Sequence, residues 1–149
     1  MKTIRTIHNT EIIAVKGSIF DVENVDLLAL FKNVGMAALP IRITDFLRKN
    51  GLAESSESLQ PYGKDGIRYI YYANTCDLFW SREIDGVVDD MLTKASERGL
   101  ESIAMNGIRT SGWPEMDNLH SISNWLREHW ETPIRQIQLV DLRGGFNKV

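Results

Sequence analysis

Runs of apolar and β-branched residues divide the chain into short strands. Two early runs, TIRTIH and EIIAVKG, are separated by Asn9 and Thr10, which predicts an antiparallel pair joined by a tight turn. Four later runs of strand length also predict strands. The run at residues 25–30 is almost continuously apolar, which is typical of a strand covered on both faces. These later runs are residues 25–30, 67–74, 101–106 and 134–142.

Three segments carry apolar residues at helical spacing. The segments MAALPIRITDFLRKNGL and EIDGVVDDMLTKASERGL end near Gly51 and Gly99, as helices commonly do. The third, DNLHSISNWLREHW, follows Asp117, which is a candidate cap. Between the first helix and the strand at 67–74, the polar segment AESSESLQPYGKDG predicts a surface connection.

The alternation of strands and helices predicts a fold class. We expect an α/β protein with three α/β/α layers and a mixed, largely parallel six-stranded sheet, in a single domain over residues 1–149. Ligand sites in such sheets lie at the carboxyl ends of the strands, because right-handed crossovers gather the connecting loops there. The loops of interest are therefore 31–36, 74–80 and 106–114.

Composition narrows the function classes. No run reaches the roughly 18 apolar residues of a membrane span, and the first residues lack a secretory signal core, so we expect a cytoplasmic protein without membrane contact. Cys76 is the only cysteine and the three histidines are scattered, so neither a metal nor another cofactor is expected. The net charge of −3, with dispersed Lys and Arg, argues against duplex nucleic acid but leaves a nucleotide or a strand end open.

Polar and aromatic side chains are concentrated in the loop after residues 101–106. They offer hydrogen-bond donors, a flexible glycine and a flat ring for stacking on a base or ribose. The alternative is a plain connector with the tryptophan packed on the core. The candidate ligand-binding residues in this loop are Asn106, Arg109, Thr110, Ser111, Gly112 and Trp113.

Other strand ends supply further candidates. Asn33 and Gly35 precede a helix whose first amides suit an anion, although Asn33 is also typical of a helix cap. Asn74 ends the strand at 67–74 and faces the same cleft in this prediction, whereas nearby Cys76 is better explained as packing. No catalytic residue is predicted.

Two clusters favour structural explanations. The carboxylates at 85, 89, 90 and 97 alternate with an apolar helical stripe, which is typical of a solvated helix face. Trp125, His129 and Trp130 near the end of the last helix favour core packing or an interface. A homo-oligomer or a protein partner therefore stays open.

Several strings resemble the macro domain family, an α/β/α module that binds ADP-ribose. IIAVKGSIFDVENVDLLAL looks like that family's strand, Gly-Asp-Ile turn and following strand, and LESIAMNGIRTSGWP is similar to its KSIAFPAISTGVYGYP segment. IRYIYYAN falls where the family has RYVIHTVGP. The resemblance implies the macro fold, a nucleotide-type ligand, and an aromatic near the last strand that stacks on adenine, which points to Phe146.

The sequence departs from the family at the loops that would hold the ligand. Ser18 follows Gly17 where the family has an Asp for the adenine. The Asn-Ala-Ala-Asn segment and its Gly-rich loop are reduced to LFKNVGMAAL, in which Asn33 and Gly35 remain, and the second phosphate loop is shortened to residues 110–113. Glycines let backbone amides approach a pyrophosphate closely, so their loss bears directly on ligand binding.

Three functions follow as hypotheses. The first, which we prefer, is a divergent macro-like domain that binds ADP-ribose or another nucleoside phosphate at the strand ends. The second is an ADP-ribosyl hydrolase or phosphoesterase, and the third is a protein-interaction module that has lost the ligand site. Side chains of Phe31, Met36 and Trp113 filling the cleft would favour the third, and an open polar cleft would favour the first.

Overall fold

The computed structural model describes residues 1–33, 38–54 and 57–149, and within them seven strands form one mixed sheet. The order across the sheet is β1-β2-β7-β6-β3-β5-β4. The central strands β2, β7, β6, β3 and β5 are parallel, and the two edge strands run antiparallel to their neighbours. The strands are β1 (Lys2–Ile7), β2 (Thr10–Lys16), β3 (Leu27–Lys32), β4 (Leu59–Lys64), β5 (Ile67–Asn74), β6 (Ser102–Asn106) and β7 (Gln136–Asp141).

Helices cover both faces of this sheet, which confirms the three-layer α/β/α prediction. Helices α2 and α3 bury Val88, Met91, Ile122 and Leu126 in the cluster on one face. Helix α1 buries Ile43 and Leu47 in the cluster on the other face. In the described residues the α-helices are α1 (Ala38–Lys49), α2 (Ile84–Glu97) and α3 (Pro114–Glu128), with short 3-10 turns at Ile19–Asp21, Ser81–Glu83 and Gly145–Lys148.

The described sheet has seven strands instead of the predicted six, because part of the predicted surface connection is strand β4. This strand lies at the sheet edge, where Pro61 is tolerated because one side of the strand needs no backbone donor. Asp65 (φ 53°) and Gly66 (φ 72°) form a two-residue hairpin turn into β5. Positive φ at both positions is the pattern of a type I′ turn, and Asp-Gly is a preferred sequence for it.

Two element boundaries differ from the prediction. Thr10 belongs to β2 and donates from Oγ1 to the carbonyl of Ile134 at 2.6 Å, so the first turn is made by His8 (φ 52°) and Asn9. Helix α3 begins at Pro114, which places Asp117 inside its first turn and makes Trp113 the N-cap residue. Proline suits the start of a helix because its missing N–H has no partner to lose there.

The five parallel strands end along one side of the sheet, which we call the carboxyl edge. Their last residues are Lys16, Lys32, Asn74, Asn106 and Asp141. The opposite side, the amino edge, carries the β1–β2 turn and the end of α3, where His8 meets the carbonyl of Arg127 at 3.4 Å. None of the described helices is long and apolar enough to cross a membrane.

Candidate functional site at the carboxyl edge

Asn33 joins three strand ends. Its Oδ1 atom accepts hydrogen bonds from Thr75 Oγ1 at 2.7 Å and from the Arg109 backbone N–H at 3.0 Å. Its Nδ2 atom donates to the carbonyl of Gly107 at 2.8 Å. Asn33 is buried. The amides that it would bond as the predicted helix cap fall in residues 34–37, outside the described residues. Its amide fixes the exits of β3, β5 and β6 relative to one another.

Two more buried asparagines hold the exit of β6. Asn106 accepts from the Phe31 N–H and donates to the Phe31 carbonyl, both at 2.9 Å, and thereby continues the pairing of β6 with β3. Asn118 on α3 accepts from the Ile108 N–H at 3.0 Å and donates to the Ile108 carbonyl at 2.8 Å. The sequence analysis did not single out Asn118. The available indication was its position as a polar residue beside the apolar stripe of α3. Both amides serve the backbone.

The loop of residues 109–113 is held in place while its side chains face solvent. Ser111 donates to the Phe79 carbonyl from its backbone N–H at 2.8 Å and from Oγ at 2.7 Å. The Gly112 N–H donates to Thr110 Oγ1 at 3.3 Å. Arg109, Ser111 and Trp113 are exposed, and Thr110 is half-buried. Trp113 therefore does not pack on the core as the connector alternative requires.

A carboxylate lies against the backbone of Gly112. A Cβ atom built on Gly112 would overlap Asp117 Oδ2 and lie 3.2 Å from Ser81 Cβ. Asp117 Oδ2 is buried and has no hydrogen-bond partner in the part of the chain that the structure describes. A side chain at position 112 would therefore require the Asp117 carboxylate to move and the 79–81 turn to give slightly.

Phe146 takes a different place from the one that the family resemblance implies. The Asp141 carboxylate accepts the Gly145 N–H at 2.7 Å and turns the chain back after β7. Phe146 is thereby buried in the core, and a Cβ atom built on Gly107 would lie 2.9 Å from its Cζ. Its ring packs against Gly107 at the exit of β6 and is covered from solvent.

The remaining predicted positions are peripheral or outside the described residues. Asn74 is exposed and its Oδ1 atom accepts the Cys76 N–H at 3.0 Å. The half-buried Cys76 thiol donates to the Lys32 carbonyl at 3.1 Å, in keeping with packing. Gly35 and Met36 lie outside the described residues.

Sequence reasoning missed two exposed rings beside the loop. Phe79 and Trp80 meet edge to face with ring centroids 4.8 Å apart. Glu83 Oε1 accepts the backbone N–H groups of Trp80 at 2.9 Å and Phe79 at 3.2 Å, and these bonds lower the pKa of the Glu83 carboxyl. Since Phe79 also accepts both bonds from Ser111, we define Phe79, Trp80 and Trp113 together as the aromatic shelf.

Charge is divided along the carboxyl edge. Arg82 and Arg109 stand on the two loops of the aromatic shelf, and neither forms an ion pair with another described residue. Carboxylates gather instead at the exit of β7, where a Cβ atom built on Gly145 would lie 2.7 Å from Glu115 Oε1 and 2.8 Å from Asp141 Oδ2. An anionic group is therefore favoured beside the arginines and disfavoured beside β7.

The described residues at this edge offer carboxylates but no histidine pair and no metal-holding cluster. They contain no group of three or more His, Cys, Asp or Glu side chains that could hold a metal ion. His8 lies at the amino edge, and so does His129, which stacks on Trp125 with centroids 4.0 Å apart. The arrangement at the carboxyl edge suits binding through rings, guanidinium groups and loop hydroxyls.

Solved structures match this chain. No family model and no curated protein sequence matches it. The macrodomain of Trypanosoma brucei in complex with ADP-ribose matches with a TM-score of 0.70 at 16% identity, over 92% of this chain and 66% of that one. The macro domain of ganglioside induced differentiation associated protein 2 matches with a TM-score of 0.65 at 14% identity, over 93% and 80% of the two chains.

The macrodomain of Thermus aquaticus DarG matches with a TM-score of 0.61 at 15% identity, over 87% of this chain and 97% of that one. The chain therefore has the macrodomain fold, as the resemblance predicted. It spans only 66% of the length of the trypanosomal macrodomain.

Proposed function

We propose that the carboxyl edge binds a nucleotide-type ligand, an ADP-ribose-related molecule or another nucleoside phosphate. The observation that carries this proposal is Trp113, an exposed ring on a loop whose backbone is fixed on both sides. A ring on a backbone that is already ordered loses less conformational freedom when it stacks on a base, so less of the binding free energy is spent on ordering. Loops at strand ends are also where α/β folds place ligands.

In this proposal the loop residues divide into contacts and supports. Trp113 stacks on the base or the ribose, and Arg109 on the same loop, which forms no ion pair with another described residue, pairs with a phosphate. The hydroxyls of Thr110 and Ser111 lie between them in the sequence. The Thr110 hydroxyl accepts the Gly112 N–H and can donate to a ligand, whereas the Ser111 hydroxyl donates to Phe79 and can only accept. Asn33 and Asn106 act as positioning residues, because their amides already bond the backbone.

Two observations support this function over its alternatives. Phe31 is fully buried within β3 and Trp113 is exposed, so neither of these described residues fills a cleft as the interaction-module hypothesis required. A hydrolase or phosphoesterase needs a base that positions water, and the carboxylates of Asp117, Glu115 and Asp141 are the candidates for it at this edge, so that alternative remains the second hypothesis. Solved macrodomains in complex with ADP-ribose and with ADP support the ligand class.

The test is a calorimetric titration with ADP-ribose, ADP, AMP and adenosine, together with the thermal shift that each produces. We expect at least one to bind saturably and raise the melting temperature, since a ligand that binds only the native state stabilises it. Trp113→Ala should weaken binding about tenfold, the value of roughly one stacked base. Arg109→Ala should weaken the binding of the phosphorylated ligands and leave the binding of adenosine unchanged.

Trp130→Ala is the matched control, because Trp130 is also exposed but lies at the amino edge after α3. It should bind like the wild type. If no ligand binds, or if Trp130→Ala weakens binding as much as Trp113→Ala, the proposed site is wrong.

A further inference from the structure

The aromatic shelf is larger than one nucleotide needs. Phe79, Trp80 and Trp113 are 57%, 56% and 60% exposed. Large exposed apolar side chains that stand together mark interaction sites more often than isolated ones do. A single base covers one ring, so if Trp113 takes the base of a nucleotide, Phe79 and Trp80 remain uncovered.

The shelf is held rigidly by polar bonds beneath it. Ser111 links the two loops through both of its bonds to the Phe79 carbonyl, at 2.8 and 2.7 Å. Glu83 fixes the backbone of Phe79 and Trp80 from the other side at 3.2 and 2.9 Å. These bonds fix the backbone that carries the rings, so less ordering is needed when a base stacks on them.

The charges next to the shelf are suited to a phosphate backbone. Arg82 lies two residues after Trp80 in the sequence. Arg109 lies four residues before Trp113 on the facing loop. Neither guanidinium is within ion-pair distance of a carboxylate in the described ranges. The nearby Glu83 carboxylate is already engaged by two backbone N–H groups, which partly offsets its charge.

We propose that the aromatic shelf, with Arg82 and Arg109, binds a short stretch of single-stranded nucleic acid. One base stacks on Trp113, a second on the Phe79–Trp80 pair, and the arginines face the phosphates that join them. Stacked rings next to cationic side chains are the common means of holding single strands without reading sequence. A duplex keeps its bases paired and out of reach, and the chain lacks the positive surplus that duplex binding uses. The proposal rests on the proposed function, because it assigns the first base to Trp113.

The experiment compares fluorescein-labelled hexa-adenylate RNA with AMP on the full chain. We expect hexa-adenylate to bind at least tenfold more tightly than AMP, because it reaches a second ring. Trp80→Ala should weaken hexa-adenylate binding about tenfold and leave AMP unchanged, whereas Trp113→Ala should weaken both. Arg82→Gln should flatten the dependence of hexa-adenylate affinity on salt concentration. Trp130→Ala is the matched control and should change neither ligand.

The outcomes separate the two proposals. If AMP binding depends on Trp113 but hexa-adenylate binds no more tightly, or if Trp80→Ala acts like Trp130→Ala, this inference is overturned and the proposed function stands. If neither AMP nor hexa-adenylate binds, this inference is overturned, and the proposed function is then decided by the titration with ADP-ribose, ADP and adenosine. If Trp80→Ala abolishes self-association of the chain in sedimentation velocity and RNA does not bind, the shelf is a protein contact and the inference is overturned.

Discussion

Three buried asparagines stabilise the carboxyl edge of this protein. Asn33, Asn106 and Asn118 each direct both ends of the amide at backbone groups of a neighbouring element. Loops that leave a sheet expose unpaired backbone groups, and a buried unpaired group is costly. The asparagines satisfy those groups and keep short loops in register. A ligand site built on them inherits that rigidity.

Asn33→Ala tests this role. The substitution leaves the Thr75 hydroxyl, the Arg109 N–H and the Gly107 carbonyl without their partner, and we expect it to lower the free energy of unfolding by about 2 kcal/mol. The measurement is urea denaturation followed by fluorescence. Asn74→Ala is the control, because this exposed asparagine also ends a strand and should change stability by less than about 0.5 kcal/mol. Equal effects of the two substitutions would contradict the bridging role.

The sequence shows the residue types at this edge but not their tasks. Asn33 and Asn106 could be placed at strand ends from hydrophobic pattern alone, and both do lie there. Whether an amide faces a ligand or a neighbouring strand depends on which strands are adjacent, and that order is a long-range property. Phe146 illustrates the limit, because the Asp141 turn that buries its ring cannot be read from RGGFNKV.

At the level of elements, pattern predicted the helices and central strands well and the edge strand poorly. Strand β5 matches its predicted bounds, because a strand covered on both faces is a continuous apolar run. Strand β4 is half exposed and contains Pro61 and Gly63, so its composition is that of a loop. The only local sequence signal for β4 was the Asp65-Gly66 pair, which is typical of a hairpin turn. A hairpin turn before β5 implies a paired strand on its other side.

The β4–β5 hairpin provides a matched pair of glycine substitutions. Gly66 and Gly63 both have positive φ, 72° and 79°, so alanine at either position should cost about 1–2 kcal/mol from backbone strain. Only at Gly66 does a Cβ atom also overlap Asn24 Oδ1 and lie 3.1 Å from Asn24 Cα. We therefore expect Gly66→Ala to cost roughly 1–3 kcal/mol more than Gly63→Ala in thermal or urea unfolding. Equal costs would show that the hairpin does not pack on Asn24.

The whole molecule has the macrodomain fold at low sequence identity to the solved structures that it matches. Apolar periodicity determines the layers, and it persists when individual residues change, which explains a shared macrodomain fold at low sequence identity. The loops carry no such periodicity, so the pattern does not predict their contacts. Of the three exposed rings at this edge, the sequence singled out Trp113 but not Phe79 or Trp80, whose exposure depends on how their loop is folded.

The most direct test of the account is a nitrogen-15 NMR titration of the assigned protein with ADP-ribose and AMP. The account predicts saturable shifts of the backbone amides of residues 107–113 and of the Trp113 indole, with the Trp130 indole at the amino edge unchanged. Saturable shifts confined to residues away from the carboxyl edge, or no shifts at millimolar ligand, would contradict the claim that this edge of the macrodomain fold is a nucleotide-binding site.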